Sequence, residues 1–149
     1  MVYDHTIDSS SFFGLTLFGV LPHDDTRVQR FKTIVEERLC VASSGGCGYV
    51  RYEGDQYYTA SDTNTPNPWI VCTMWMAQYV IKAATKKQDL VRALELLEWA
   101  SRTATKSGIL AEQVHPRSGE HLSTAPLVWS HAEFVVTVDD YLEKYNALI

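Results

Sequence analysis

The sequence lacks the features of a nucleic-acid-binding, secreted or membrane protein. Lys and Arg number 13 against 18 Asp and Glu, the formal net charge is −5, and no basic cluster stands out. We therefore expect no nucleic-acid partner. The first five residues, Met-Val-Tyr-Asp-His, do not resemble the basic head and apolar run of a signal peptide. Since no apolar run approaches the ~20 residues that a membrane span needs, we expect a cytoplasmic protein that does not span a membrane.

Cysteine is also scarce. The three cysteines, Cys40, Cys47 and Cys72, are an odd number without a C-x-x-C pair, which argues against a zinc site. Cys40 and Cys47 flank the Ser-Ser-Gly-Gly run at 43–46 and could be joined, but we favour reduced thiols, as in cytosolic proteins.

The histidines give no sign of a metal site either. The spacing of His115, His121 and His131 does not indicate convergent ligands. On the last helix, His131 is expected to be a hydrogen-bonding core residue. We expect neither a metal nor another cofactor.

The apolar content is high enough for a folded core. Hydrophobic residues make up 46 % of the 149 residues, which suits one domain and excludes a disordered chain. Apolar spacings of three and four predict five helices and no strand. The first predicted helix follows the capping run at 8–11 and ends near residues 19–22, and the other four cover about residues 26–40, 68–85, 88–107 and 126–145.

The predicted helix starts rest on capping residues. We expect caps from the Asp-Ser-Ser-Ser run at 8–11, the Asp-Asp pair at 24–25, Asn67 before Pro68, and the Ser-Thr-Ala-Pro run at 123–126. The Ser-Ser-Gly-Gly run at 43–46 is expected to end the second helix.

The third predicted helix is apolar almost all round, whereas its neighbours are amphipathic. A helix without a polar face is buried among other helices. The pattern therefore predicts an inner and an outer layer, with function on the loops at one end. Two loops stand out: the tyrosine-rich segment 48–68 with Arg51, and the segment 108–121 with Glu112.

Glu112 is a carboxylate within an apolar run. It follows Ile109, Leu110 and Ala111, which we expect to tuck toward the core after a helix-ending Gly108. A carboxylate near a core is costly unless it has partners or a chemical role. From the residues alone, Glu112 could cap nearby backbone N–H groups or act in a reaction.

Several stretches, in order and roughly in register, resemble the glucoamylase family, glycoside hydrolase family 15. They are Arg-Tyr-Glu-Gly-Asp-Gln-Tyr-Tyr (51–58) with Asn-Pro-Trp (67–69), then Leu-Ala-Glu-Gln (110–113), Gly-Glu-His-Leu-Ser (119–123) and Leu-Val-Trp-Ser-His-Ala (127–132), and less specifically Asp-Ser-Ser (8–10). The resemblance spans about residues 8–138.

The resemblance implies an all-α fold, a partial (α/α)6 toroid of about five helices in inner and outer layers with long site loops. Twelve helices with their connections need well over ~200 residues. We therefore expect residues 1–149 to form a single segment from the C-terminal part of such a domain. The implied activity is inverting hydrolysis that releases glucose from α-glucan ends, such as maltose, or from trehalose.

The family's functional residues map onto this chain as Glu112 for the general base, with Arg51, Tyr52, Trp69, Gln113 and Trp129 for substrate binding. Inverting hydrolysis needs a base carboxylate and a protonated carboxylic acid ~6.5–9.5 Å apart. Arginine donates paired hydrogen bonds to hydroxyls, and indole rings stack on pyranose faces. For Arg51 the alternative is an ion pair with Asp55 or Glu53. Trp69 could be part of the core, and we assign Trp75 and Trp99 to it.

The family's general acid is a glutamate upstream of the Arg-Tyr motif, and it has no counterpart here. Glu53, Asp55, Glu120 and Glu133 are candidates by residue type alone. We therefore expect the isolated chain to be inactive. We also expect exposed apolar faces that pack on the missing half of the toroid or cause self-association. The alternative function is a non-catalytic carbohydrate-binding or regulatory helical module.

Overall fold

The computed structural model describes residues 4–43 and 45–148, and it contains five α-helices in that part of the chain. They are α1 (Ser9–Leu17), α2 (Thr26–Leu39), α3 (Ile70–Ala83), α4 (Val91–Thr103) and α5 (Val128–Ala147). A 3₁₀ helix, Lys87–Leu90, precedes α4. The predicted all-α class with five helices is confirmed. Among the described residues, no helix combines the length and apolar character needed to cross a bilayer.

Helix α3 is the inner helix of the structure. Every residue from Ile70 to Tyr79 is buried, and α3 contacts α1, α4 and α5. Helix α2 instead packs on α1 and buries one stripe, formed by Val28, Val35 and Leu39. The predicted contrast between a fully buried helix and an amphipathic outer one is therefore confirmed.

The helix starts confirm two predicted caps and correct two others. Asp8 caps α1 and Asp25 caps α2, each accepting backbone N–H bonds from the first turn. Asn67 does not cap α3, whose N-cap is Trp69. Helix α5 begins two residues after Pro126, and its N-cap Leu127 makes no side-chain bond. Both errors arose because a polar residue near a helix start was taken as its cap, although tertiary contacts set the start.

The expectation of no strand was wrong. Strand β1 (Cys40–Ser43) pairs antiparallel with β2 (Gly46–Tyr49), so that Cys40 faces Tyr49. A second, two-residue pair joins β3 (Gln113–Val114) to β4 (His121–Leu122). The expectation that the Ser-Ser-Gly-Gly run ends α2 was also wrong, because α2 ends earlier, at Leu39, where the chain enters β1. Ser44 in that run, residues 1–3 and residue 149 lie outside the described residues.

The first hairpin also contains a disulfide between Cys40 and Cys47. The preference for reduced thiols was therefore wrong for this pair, because the antiparallel pairing brings the two residues together. Cys72 on α3 is a buried free thiol.

Gly48 allows β2 to approach the core closely. A Cβ added there would meet Pro68 Cβ at 2.6 Å and Trp99 Cη2 at 2.7 Å. Trp99 is completely buried, as expected of a core residue. Real Cβ contacts are longer than these distances, so only a glycine fits without rearrangement of the core.

We predict that Gly48→Ala lowers the free energy of unfolding by about 1–3 kcal/mol, because the methyl group overpacks the contact with Trp99. Urea denaturation would measure the change. Gly14→Ala in α1 is the matched control, since its Cβ would lie 3.8 Å from the Phe18 ring and a helical alanine is favoured. Equal stability of the two variants would contradict the prediction.

Candidate active site

An open cleft of about 560 Å³ lies where α1, α3 and α5 begin, beside the segments that follow β2 and α4. Its walls are formed by Asp8, Ser10, Arg51, Tyr52, Trp69, Val71, Cys72, Trp75, Glu112 and Trp129. Five of the six predicted site residues are in this lining. The sixth, Gln113, is not.

The segment of residues 68–70 holds the two predicted site loops together. The Trp69 N–H donates to the Tyr49 carbonyl oxygen at 2.9 Å, and the Ile70 N–H donates to the Glu112 carbonyl oxygen at 3.2 Å. In the opposite direction, the Val114 N–H donates to the Pro68 carbonyl oxygen at 3.0 Å. These bonds bring the Arg51 segment and the Glu112 segment to one edge of the cleft.

Gln113 forms a buried hydrogen bond that also connects the two site loops. Its side chain is fully buried, and its Oε1 accepts a 2.8 Å bond from Asn67 Nδ2. The same Asn67 nitrogen also donates to the Tyr58 carbonyl oxygen at 2.7 Å. Gln113 therefore connects the loops internally, and its predicted contact with substrate remains a prediction.

Arg51 is held by a buried carboxylate. Its Nε and Nη2 donate to the two oxygens of Asp55 at 3.1 and 3.0 Å, and Asp55 is only 2 % exposed. The guanidinium also lies over the Trp69 ring, with Cζ 4.5 Å from the ring centroid. Burial works to lower the pKa of Arg51, but the hydrogen bond and charge of Asp55 raise it above its ordinary value. The ion pair with Asp55 that we weighed as the alternative is therefore present.

That ion pair leaves part of Arg51 available to a ligand. Among the described residues, the hydrogen bonds of the Arg51 guanidinium use Nε and Nη2 and leave Nη1 without a partner. A guanidinium fixed on one edge can donate from the other edge in a defined direction. The ion pair and a sugar-binding role are thus compatible.

The Glu112 carboxylate faces the cleft with one oxygen held. Its Oε2 accepts a short hydrogen bond from the Ser123 hydroxyl, and the Glu112 N–H donates to the Thr124 carbonyl oxygen at 2.8 Å. Ser123 has a left-handed backbone, with φ of 59°. Such a conformation is uncommon for a non-glycine residue, and at functional sites it persists because the surroundings enforce it. No described residue donates a recorded hydrogen bond to Oε1.

The aromatic wall of the cleft is formed mainly by α3 and α5. Trp129 is half exposed and forms a T-shaped contact with Trp75, with ring centroids 5.6 Å apart. Trp75 in turn stacks on Phe13 at 4.7 Å. Trp69 is only 6 % exposed because Arg51 covers one of its faces. Trp129 is thus the tryptophan most accessible to a ligand.

Residues missed at the sequence level include Trp75 and Asp8. Trp75 belongs to the core, as expected, but its position on α3 also brings it to the cleft. Helix α3 is apolar all round, so its periodicity could not show which residue reaches the site. Cys72 also lines the cleft, and its burial raises the pKa of its thiol.

Two further carboxylates that we considered as the general acid, Glu133 and Glu53, form hydrogen bonds with other groups of the protein. Glu133 holds Trp129, because its Oε1 accepts from the indole Nε1 at 3.1 Å while its Oε2 accepts from Gln78 Nε2 at 2.7 Å. Glu53 accepts from the Ile7 N–H at 3.0 Å and from Arg38 at 3.1 Å. These two bonds, with that from Ile7 the larger effect, lower the pKa of Glu53.

The three histidines bind to separate partners. His131 Nε2 accepts from the Leu110 N–H, His121 Nε2 donates to the Thr103 carbonyl oxygen, and His115 Nε2 contacts Asp62. Across residues 4–43 and 45–148, no group of His, Cys, Asp and Glu is arranged to hold a metal ion.

Comparisons with known proteins identify the family. The model of glycosyl hydrolases family 15 matches residues 21–139. The chain is 31 % identical over 145 residues to an uncharacterized glycosyl hydrolase of Methanocaldococcus jannaschii, covering 91 % of this chain and 22 % of that protein. A glucoamylase of Clostridium sp. is 29 % identical over 150 residues, covering 95 % of this chain and 20 % of its own length. Trehalase 2 of Sulfolobus acidocaldarius is 26 % identical over 129 residues, covering 87 % of this chain and 20 % of its own length.

A solved structure gives the same result for the fold. A bacterial glucoamylase complexed with acarbose superposes with a TM-score of 0.75 at 24 % identity, covering 97 % of this chain and 23 % of that chain. The five helices therefore have the fold of part of a glucoamylase (α/α)6 toroid. This chain belongs to glycosyl hydrolases family 15. It spans about a fifth of the length of the curated relatives it matches.

We predict that Asp55→Asn lowers the free energy of unfolding by about 1–3 kcal/mol, because the partly buried Arg51 loses its carboxylate partner. The matched control is Glu98→Gln, which breaks an ion pair with Arg102 in which both side chains are about half exposed. Exposed pairs contribute ~0–1 kcal/mol. Thermal or urea unfolding of both variants would measure the difference, and an equal loss would contradict the role of Asp55.

Proposed function

We propose that this chain supplies the general base and the glucose-binding platform of an inverting α-glucoside hydrolase, with Glu112 as the base. The observation behind this proposal is the position of Glu112 in a tryptophan-lined cleft. Its Oε2 is held by Ser123, whereas its Oε1 accepts no recorded bond from the described residues. Oε1 can therefore accept a proton from a water molecule that attacks the anomeric carbon.

The other cleft residues suit a neutral sugar. The Trp129 indole offers an exposed face for a pyranose ring. Arg51 donates to sugar hydroxyls from the edge that Asp55 does not occupy, and Tyr52 and Trp69 border the same space. The Arg51 charge is already balanced by Asp55, so the site does not require an anionic ligand.

We propose that the general acid comes from a segment outside this chain. None of the four candidates, Glu53, Asp55, Glu120 and Glu133, is among the described residues that line the cleft. Asp55 is committed to Arg51, Glu133 holds Trp129 and Gln78, and Glu53 accepts hydrogen bonds from the Ile7 N–H and from Arg38. An acid must instead begin the reaction protonated, on the side of the sugar opposite the base.

The substrate is proposed to be an α-glucan end such as maltose, or trehalose. Among the relatives, one is named a glucoamylase and one a trehalase. Both reactions release glucose through a bond at its α-anomeric carbon. Both sugars are therefore needed in the test.

The outer side of α5 is proposed to pack on further helices of the toroid or, in the isolated chain, on another copy. Val128, Val135, Val136 and Leu142 are 80, 57, 49 and 52 % exposed. They lie along a stripe on one side of α5 with the exposed Asp139 and Glu143 among them, whereas Ser130, Phe134, Thr137 and Val138 face inward. Exposed apolar stripes of this kind mark contact surfaces.

We predict that Glu112→Gln lowers kcat for glucose release by a factor of about 10²–10⁴, because the amide cannot accept the proton of water. The assay uses maltose and trehalose with the 149-residue chain and with the chain joined to the coding sequence upstream of it. Sugar binding, followed by tryptophan fluorescence, should change by less than about twofold. The control is Glu120→Gln, an exposed glutamate in the same loop.

The outcomes separate the possible functions. Activity only in the longer protein, lost in Glu112→Gln, would support the proposal. Activity of the 149-residue chain would mean that the general acid lies within it. Sugar binding without hydrolysis in either form would indicate the non-catalytic binding module instead.

We predict that the isolated chain self-associates and that Val135→Glu with Leu142→Glu reduces the self-association, since charges on the α5 stripe oppose its burial. Light scattering would measure the effect. Lys144→Glu, a charge change at a partly exposed residue of the same helix outside the stripe, serves as the control. A monodisperse monomer of the unmodified chain would contradict the prediction.

A further inference from the structure

Asp8 lies in the cleft and has a free oxygen. It caps α1 through Oδ1, which accepts from the Ser10 N–H at 2.7 Å, the Ser11 N–H at 3.0 Å and the Ser10 hydroxyl. All of its recorded side-chain bonds involve that one oxygen. Within the described chain, Oδ2 has no recorded donor, and Asp8 forms no salt bridge.

The capping role does not explain the choice of aspartate here. Asparagine and serine cap helices about as well as aspartate. Asp25, the cap of α2, shows what a structural aspartate does in this chain. Its Oδ1 accepts from the Arg27 N–H at 2.8 Å and its Oδ2 accepts from Arg27 Nη2 at 2.7 Å. Both oxygens of Asp25 are therefore used, whereas only one oxygen of Asp8 is.

The position of Asp8 is rigidly tied to Arg51. The Ser9 N–H donates to the Arg51 carbonyl oxygen at 2.8 Å, and the Glu53 N–H donates to the Ile7 carbonyl oxygen at 3.0 Å. The backbone of Asp8 also pairs with that of Tyr52 in an isolated antiparallel β-bridge. The backbone on either side of Asp8 is thus paired with the backbone on either side of Tyr52, which fixes a carboxylate and a guanidinium in one cleft.

Asp8 and Tyr52 also border a second, polar cavity of about 490 Å³, together with Asp4, Thr6, Ser11 and Glu53. The two cavities meet at Asp8 and Tyr52, since both residues line each of them. Asp8 therefore borders two spaces that a sugar chain could occupy.

We infer that Asp8 is a substrate-binding residue whose Oδ2 accepts a hydrogen bond from a glucosyl hydroxyl while Arg51 donates to the same sugar. This inference rests on the proposed sugar site and adds a residue that sets the orientation of the ring. One acceptor and one donor at fixed positions distinguish between hydroxyl arrangements better than either alone. A carboxylate acceptor also forms a stronger hydrogen bond than a neutral one.

The test compares Asp8→Asn with Asp25→Asn. In Asp8→Asn the side-chain oxygen still caps α1, so the amide nitrogen replaces Oδ2 and a donor replaces the acceptor. We expect maltose or trehalose binding, measured by tryptophan fluorescence, to weaken about tenfold or more, with the melting temperature changed by less than about 2 °C. Asp25→Asn should leave the binding unchanged, because Asp25 does not line the cleft.

Asp8→Ser provides a second variant, since serine keeps the cap and removes the second oxygen altogether. Monodeoxy analogues of methyl α-glucoside give a further readout: one of them should bind the unmodified chain and Asp8→Asn with equal affinity. Sugar binding that is unchanged in both Asp8 variants would overturn the inference while leaving the proposed function intact. Absence of sugar binding both in the unmodified 149-residue chain and in the longer protein would overturn both.

Discussion

The structure depends on the backbone pairing of residues 68–70 with two distant segments. On one side Trp69 pairs with Tyr49, and on the other side Pro68 and Ile70 pair with Val114 and Glu112. Together with the Asn67–Gln113 hydrogen bond, these bonds hold the Arg51 loop and the Glu112 loop in fixed positions relative to each other. Because they lead directly into α3, the most deeply buried helix, the position of the cleft is set by the core rather than by flexible loops.

Three charged side chains in the cleft each have one part held by hydrogen bonds within the protein and another part available to a ligand. Asp55 fixes one edge of Arg51, Ser123 fixes one oxygen of Glu112, and the start of α1 fixes one oxygen of Asp8. A polar group held in this way loses little conformational freedom when a ligand binds, and such preorganisation increases affinity. The same arrangement orients the remaining donor or acceptor toward the ligand space.

The helices could be predicted from the sequence because their apolar spacing is strong and long. Helix α2 was expected to begin at Thr26, as observed, and α3 was recognised as buried because it has no polar face. The first hairpin was missed because Gly46 and Gly48 have low strand propensity. Gly48 is needed there for close packing against Trp99 and Pro68. Asp8 and Trp75 were missed as cleft residues because their positions depend on how helices cross, which periodicity does not encode.

Trp129 links the cleft to the outer face of α5. It stands beside the exposed Val128 and is anchored by Glu133, which also holds Gln78 on α3. A helix that packs on this face would therefore also restrict the indole that borders the cleft. Docking of such a helix and binding of a sugar would then be thermodynamically coupled: whichever occurs first would strengthen the other by the same factor.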